Sequence, residues 1–221
     1  MLGASCGNVA VLWSLVTGQK AAVLTRHSDA VQSIRFAPAD RFAVTGGNDA
    51  KVMLWDIDSG RTLRQWKFDA PVTSVRFSPI GPWLAATSFD GKLRVWNWQT
   101  GATRFENVAG RDGATSVDFS GNGALIATGG LLGDVKLSQA DSGHEDFILA
   151  NAGCDGDNCR ALVAFDITSE RIAVASGDKI WLHDLDFASV RREAIALLVK
   201  QRPNVKEDCR RLLQSDSCPG F

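Results

Sequence analysis

"AKVMLWDIDSG", residues 50–60, carries four apolar residues in a row, from Val52 to Trp55, before Asp56 and a glycine-closed turn. Alone, such a run fits a buried strand or a piece of buried helix equally well. Its recurrence decides the matter. "VAVLWSL" (9–15), "GKLRVWNWQTG" (91–101), "GDVKLSQADSG" (133–143) and "DKIWLHDLD" (178–186) repeat the shape. The slot held by Trp13, Trp55 and Trp96 returns at Ser138 and His183, at steps of 42, 41, 42 and 45 residues.

A second recurring run lies upstream of each slot. "AVQSIRFAPADRFAVTGG" (30–47) matches "PVTSVRFSPIGPWLAATS" (71–88), "ATSVDFSGNGALIATGG" (114–130) and "ALVAFDITSERIAVASG" (161–177). Each unit alternates apolar and polar residues, turns, makes a second short apolar run, turns again and enters the tryptophan-bearing run. Period-two alternation punctuated by Gly, Pro, Asp and Asn predicts short antiparallel strands. In "FAPAD" and "FSPIG" the Pro and Gly sit where a tight turn needs a fixed or a positive φ.

A period near 41 with four strands per unit resembles one blade of a β-propeller, and the chain from residue 4 to 186 resembles the WD-repeat family. The Trp-Asp dipeptide is intact at Trp55-Asp56; Trp13-Ser14 and Trp96-Asn97 keep half of it, and His183-Asp184 keeps the Asp. The resemblance implies a buried hydrogen-bond relay of His27, Thr45, Asp49 and Trp55. A buried indole N–H needs an acceptor, a hydroxyl can pass the bond on, and an Asp in a turn can orient the imidazole. Elsewhere the relay is eroded. The third unit has Phe68 and Ala86 with Asp90 and Trp96; the fourth has Gly110, Thr128, Leu132 and Ser138; the fifth retains Asp178. The role this implies for His27 is structural, because no nucleophile paired with a base accompanies it.

The expected fold is all-β: a partial propeller of about four to five four-stranded antiparallel blades, followed by a short α-helical tail. Residues 9–13 and 19–24 read as the last two strands of a first blade. Full blades follow at 30–67, 71–108 and 114–150, and three strands (161–166, 171–175, 179–183) form the last. That makes 17 strands, against about 28 in a ring of about seven blades. The shortfall predicts that the chain is the C-terminal part of a longer protein, with roughly 110 residues upstream at the repeat's period. A short product that assembles with a partner, or an open arc with exposed edges and a tendency to self-associate, are the alternatives.

The domain reading is 1–186 for the propeller segment and 187–221 for the tail. "FASVRREAIALLVKQR" (187–202) carries a helical apolar stripe ended by Pro203, and Asn204 with Glu207 forms a capping box for a second short helix. "KEDCRRLLQSDSCP" (206–219) resembles the tail after the last propeller repeat of large bacterial multidomain signalling proteins, matching at Glu207, Cys209, Leu213, Cys218 and Pro219. That resemblance implies an upstream NTPase, kinase, cyclase or TIR-like module.

The 221 residues are 45% apolar with a net charge of −1, which offers no support for a nucleic-acid partner or an anionic membrane surface. No apolar stretch reaches the length of a membrane span. Five cysteines form too sparse a set for a secreted disulfide framework and point to a reducing, cytoplasmic compartment. Cys209 and Cys218 make half a zinc site at most and read as packed, or bridged when oxidised. Asp155, Asp157 and Asn158 in "NAGCDGDNC" hint at calcium but lack the oxygens of a calcium loop, so they read as a solvated turn. No metal and no cofactor are expected.

The functional expectation is a protein–protein interaction scaffold or sensor module without catalytic activity. Candidate contacts are Asn48 and Phe89, just before the turn Asp, and Trp98, which is either an exposed anchor or packing between blades. The alternatives are a propeller enzyme, or the autoinhibitory half of an NTPase, kinase or cyclase switch. Against the enzyme, no motif in the sequence couples the three histidines (His27, His144, His183) to a nucleophile, and no G-x-S-x-G or phosphate loop is present.

Overall fold

The computed structural model describes residues 1–38, 41–149 and 159–185. Contacts divide the chain into two units, Met1–His183 and Asp184–Phe221. The expected tail helices, Cys154, Cys209, Cys218 and the 151–158 loop all lie outside the described residues.

The first unit is built of antiparallel sheets that follow one another along the chain. The first sheet holds β1 (Leu2–Cys6), β2 (Val9–Trp13) and β3 (Lys20–Leu24). The second holds β4 (Val31–Phe36), β5 (Phe42–Gly47), β6 (Lys51–Asp56) and β7 (Arg61–Lys67). The third holds β8 (Val72–Phe77), β9 (Trp83–Ser88), β10 (Lys92–Asn97) and β11 (Thr103–Val108). The fourth holds β12 (Ala114–Phe119), β13 (Leu125–Gly130), β14 (Val135–Gln139) and β15 (Glu145–Leu149), and the fifth β16 (Leu162–Phe165), β17 (Arg171–Ser176) and β18 (Lys179–Asp184). Each strand pairs with its sequence neighbour, as short turns dictate. The first strands of the sheets lie side by side, β4 against β8, β8 against β12 and β12 against β16. That is the arrangement of propeller blades about an axis. No helix among the described residues is long and apolar enough to cross a membrane.

One expectation is corrected. The chain does not enter the fold at residue 9: Leu2–Cys6 is a strand, paired with β2 from Leu2↔Trp13 to Cys6↔Val9. The described strands therefore number 18 rather than 17. "LGASC" shows no alternation of large apolar residues, so periodicity could not reveal it. Backbone pairing holds it in place, and small size lets it pack: a Cβ on Gly3 would stand 3.1 Å from Ile34 and 3.3 Å from Leu12 and Phe36.

Irregularities recur with the repeat. The first strand of the second, third and fourth sheets bulges between Val31 and Ser33, Val72 and Ser74, and Ala114 and Ser116. The tryptophan slot marks a second bulge, at Leu12/Trp13, Leu54/Trp55, Val95/Trp96 and Leu137/Ser138. Ser138 thus keeps the geometry of the slot after losing the indole. Bulges bend a strand and increase its twist, and here they do so at matching positions in successive sheets.

The core lies in layers between sheets. Ala10, Leu12 and Leu24 meet Val31, Ala43, Met53 and Trp55 between the first and second. Val44, Val52 and Leu54 meet Val72, Val75 and Trp96 between the second and third. A central strand such as β6 is therefore buried on both faces, which is why "VMLW" is unbroken by polar residues, while outermost β7 alternates between exposed and half-buried. The inner-strand serines tie sheets together: Ser33 Oγ accepts from the Val75 amide at 3.3 Å, and Ser116 Oγ accepts from the Val163 amide at 3.2 Å.

Candidate functional site

The structure brings His27, Thr45, Asp49 and Trp55 together in the second sheet. Thr45 lies on β5 and Trp55 on β6, two pairs apart in register (Thr45↔Met53, Ala43↔Trp55), so both face the first sheet. Trp55 Nε1 donates to Thr45 Oγ1 at 2.8 Å. The hydroxyl, having accepted, has its own proton to give, and His27 Nε2 lies 2.7 Å away. With Nε2 as acceptor, the neutral imidazole carries its proton on Nδ1, which donates to Asp49 Oδ1 at 2.8 Å. The network assigns this tautomer.

Asp49 closes the chain. Its carboxylate also accepts from the amides of Ser28 (3.1 Å) and Lys51 (3.3 Å). Burial pushes the carboxyl pKa up, but the bonds from His27, Ser28 and Lys51 outweigh it and hold the group below the usual carboxylate range. His27, Thr45 and Trp55 are all buried. Every polar atom of the relay is engaged, so nothing remains to attack a substrate, and the arrangement clamps the loop before β4 to the β5–β6 turn.

Where the relay is eroded, the third sheet substitutes aromatic packing. Phe68, in the histidine position, meets Trp96 edge-on at 5.9 Å, and Trp66 stacks on the same indole at 5.2 Å. Ala86 is fully buried in this layer and brings no hydroxyl of its own that would need a partner.

The three candidate contacts are not brought together. Asn48 and Phe89 occupy equivalent turns, β5–β6 and β9–β10, at the end where the inner strands begin: the Asn48 amide donates to Ala30 O and that of Phe89 to Pro71 O. Asn48 Oδ1 accepts from Gln32 Nε2 at 2.9 Å. Phe89 is 38% exposed, with the Arg160 guanidinium 5.7 Å from its ring centroid. Trp98 lies at the opposite end, in the β10–β11 turn. Its ring packs between Phe42 (5.4 Å) and Phe77 (5.8 Å), joining the second and third sheets.

One group of residues was not anticipated. Arg35, Arg76 and Asp118 hold the same place in "SIRF", "SVRF" and "SVDF" on successive inner strands, and Arg76 Nε donates to Asp118 Oδ1 at 2.6 Å. Their shared position was readable in the aligned repeats, but not that it brings them to one cavity. Among the described residues no three His, Cys, Asp or Glu side chains cluster as a metal site would require. Cys6 is exposed on β1.

The profile of the family described as WD domain, G-beta repeat matches residues 18–56 and 59–97. These stretches run from β3 through β6 and from just before β7 through β10, each closing on the tryptophan-bearing strand. The Set1 complex component swd1 of Schizosaccharomyces pombe is 40% identical over 62 residues, 28% of this chain and 16% of that protein. Eukaryotic translation initiation factor 3 subunit I is 33% identical over 65 residues in Scheffersomyces stipitis, covering 29% of this chain and 19% of that one. The Candida albicans subunit gives the same figures. The matched stretch thus spans less than a fifth of the length of these curated relatives. They are eukaryotic, and the tail resemblance to bacterial signalling proteins finds no counterpart among them.

Proposed function

We propose that the chain is a protein–protein interaction scaffold, its sheets acting as blades of a WD-repeat propeller that presents the β5–β6 and β9–β10 turns to a protein partner. The observation that carries this reading is the exposed Phe89 on a rigid turn. An aromatic ring half out of water, flanked by a guanidinium and held by sheet backbone, is pre-organised for an interface and costs little entropy to bind. Asn48, in the equivalent turn one sheet earlier, supplies a polar contact on the same end. The relatives support the reading by their names, one a component of the Set1 complex and the other a subunit of an initiation factor. A place in a multi-subunit assembly is the matching role for this chain, as part of a larger propeller and without catalysis of its own.

The test is differential capture. The wild-type chain and Phe89→Ala, immobilised side by side, are incubated with lysate of the native host, and retained proteins are quantified by mass spectrometry. A specific partner should be retained by the wild type and lost with Phe89→Ala, while the melting transition of the variant stays within about 1 kcal/mol of wild type. Identical retention by both, or collapse of the melting transition, would remove Phe89 from the interface.

A further inference from the structure

A cavity of about 430 Å³ opens at the end of the inner strands opposite Asn48 and Phe89, where β4, β8, β12 and β16 turn outward. Arg35 and Arg76 both line it, with the acids Asp118 and Asp166. Both acids are engaged: within its own turn, Asp166 accepts from the Thr168 hydroxyl at 2.5 Å and from the Arg171 amide at 3.0 Å. Asp118 takes Arg76 Nε at 2.6 Å and also accepts from the amides of Phe119 and Phe165, each at 2.9 Å. Arg35 donates only to the neighbouring Ile34 carbonyl, at 2.8 Å, and makes no ion pair among the described residues. Burial and the adjacent Arg76 charge both drive the Arg35 pKa down, with Asp118 only partly offsetting them. Two guanidiniums held against their mutual repulsion, with most of their N–H groups unused, gain by taking an anion.

The surroundings say what kind of anion. Pro38, Pro79 and Ile167, from the turns after β4, β8 and β16, form an apolar rim, and Ile167 is 93% exposed. A free inorganic anion would leave that rim bare, and the chain's net charge of −1 supplies none of the wide positive field that draws nucleic acid. We propose that this cavity receives an acidic side chain from a peptide segment of a protein partner, its carboxylate held by Arg35 and Arg76 while flanking apolar residues pack on Pro38, Pro79 and Ile167. This is a second binding surface, separate from the one around Phe89, and either can fail without the other.

The experiment titrates the 221-residue chain against a fluorescein-labelled peptide of glutamate and leucine, followed by anisotropy at rising salt. The same peptide with lysine for glutamate, a labelled single-stranded oligonucleotide and inorganic phosphate as competitor form the other arms. The acidic peptide should bind, weaken with salt and lose about tenfold in affinity with Arg35→Gln, which leaves the Arg76–Asp118 pair intact. Ile167→Glu places a repelling charge on a side chain already in solvent and should cost a similar factor, so the idea is testable even if Arg35→Gln folds poorly. Lys92→Gln should leave the affinity unchanged. Absence of binding, equal binding by Arg35→Gln or Ile167→Glu, an equal loss with Lys92→Gln, tighter Arg35-dependent binding of the oligonucleotide, or full competition by millimolar phosphate would each overturn the proposal.

Discussion

At the scale of single residues, the relay is where polar chemistry and packing are least separable. Thr45 accepts from an indole and donates to an imidazole, so replacing it by the isosteric Val strands two buried nitrogens at once. Thr45→Val is expected to cost about 2–4 kcal/mol, and Trp55→Ala about 3–5 kcal/mol from lost packing and an orphaned hydroxyl. Urea denaturation of both variants checks this, and losses below about 1 kcal/mol would mean the relay carries no stability. Asp49 adds a pH dependence of known sign. Its carboxyl pKa is lowered on folding, so its contribution is complete above the unfolded value of about 4 and fades as pH falls through the lower folded value. Below about pH 4 the urea midpoint should therefore drop, and drop less in Asp49→Asn. Some of the drop should remain in that variant, because Asp56, Asp69 and Asp166 are shifted the same way.

At the scale of elements, equivalent turns solve one geometric problem with different residues. Ala50, Gly91 and Gly133 each stand five residues before the tryptophan slot, with φ of 59°, 79° and 80°. The left-handed conformation costs an alanine about 1–2 kcal/mol and a glycine almost nothing. Ala50→Gly should thus relieve more strain than it adds in unfolded-state entropy, for a net gain of about 0.5 kcal/mol. Gly91→Ala is the converse and worse, because its Cβ would also stand 2.0 Å from the Gly110 carbonyl oxygen. It should destabilise by at least about 2 kcal/mol. Thermal melts of the pair, shifting in opposite directions, test the assignment. The repeats made the turns themselves visible; the alanine's strain was not, since nothing in "NDAK" distinguishes a positive φ.

At the scale of the whole molecule, the described sheets share one rule: the face of one is covered by the next. The second, third and fourth sheets obey it on both sides. On the fifth, Leu162, Ile180 and Leu182 are 55%, 73% and 69% exposed. Ile180 and Leu182 are two residues apart on β18 and so share a face. Apolar side chains grouped on a strand are an association surface. Sedimentation should show concentration-dependent self-association of the chain, suppressed in the double variant Ile180→Lys, Leu182→Lys. A wild-type chain that stays monomeric at high concentration would argue that this face is not sticky.

The repeat and the strand order were legible without coordinates, because each rests on spacing along the chain: a period near 41 residues, alternation within it, and turns too short to permit anything but neighbour pairing. The four members of the relay were implied by the resemblance to the WD-repeat family. Leu2–Cys6 was not legible, since its small side chains carry no pattern and its place is set by backbone bonds to β2. Tertiary structure alone decided that Trp98 lies between Phe42 and Phe77. It also decided that Arg35, Arg76 and Asp118, some 41 residues apart in the chain, share one cavity. The reason is common to both: these contacts join different sheets, and the angle at which one sheet meets the next is written in no single repeat.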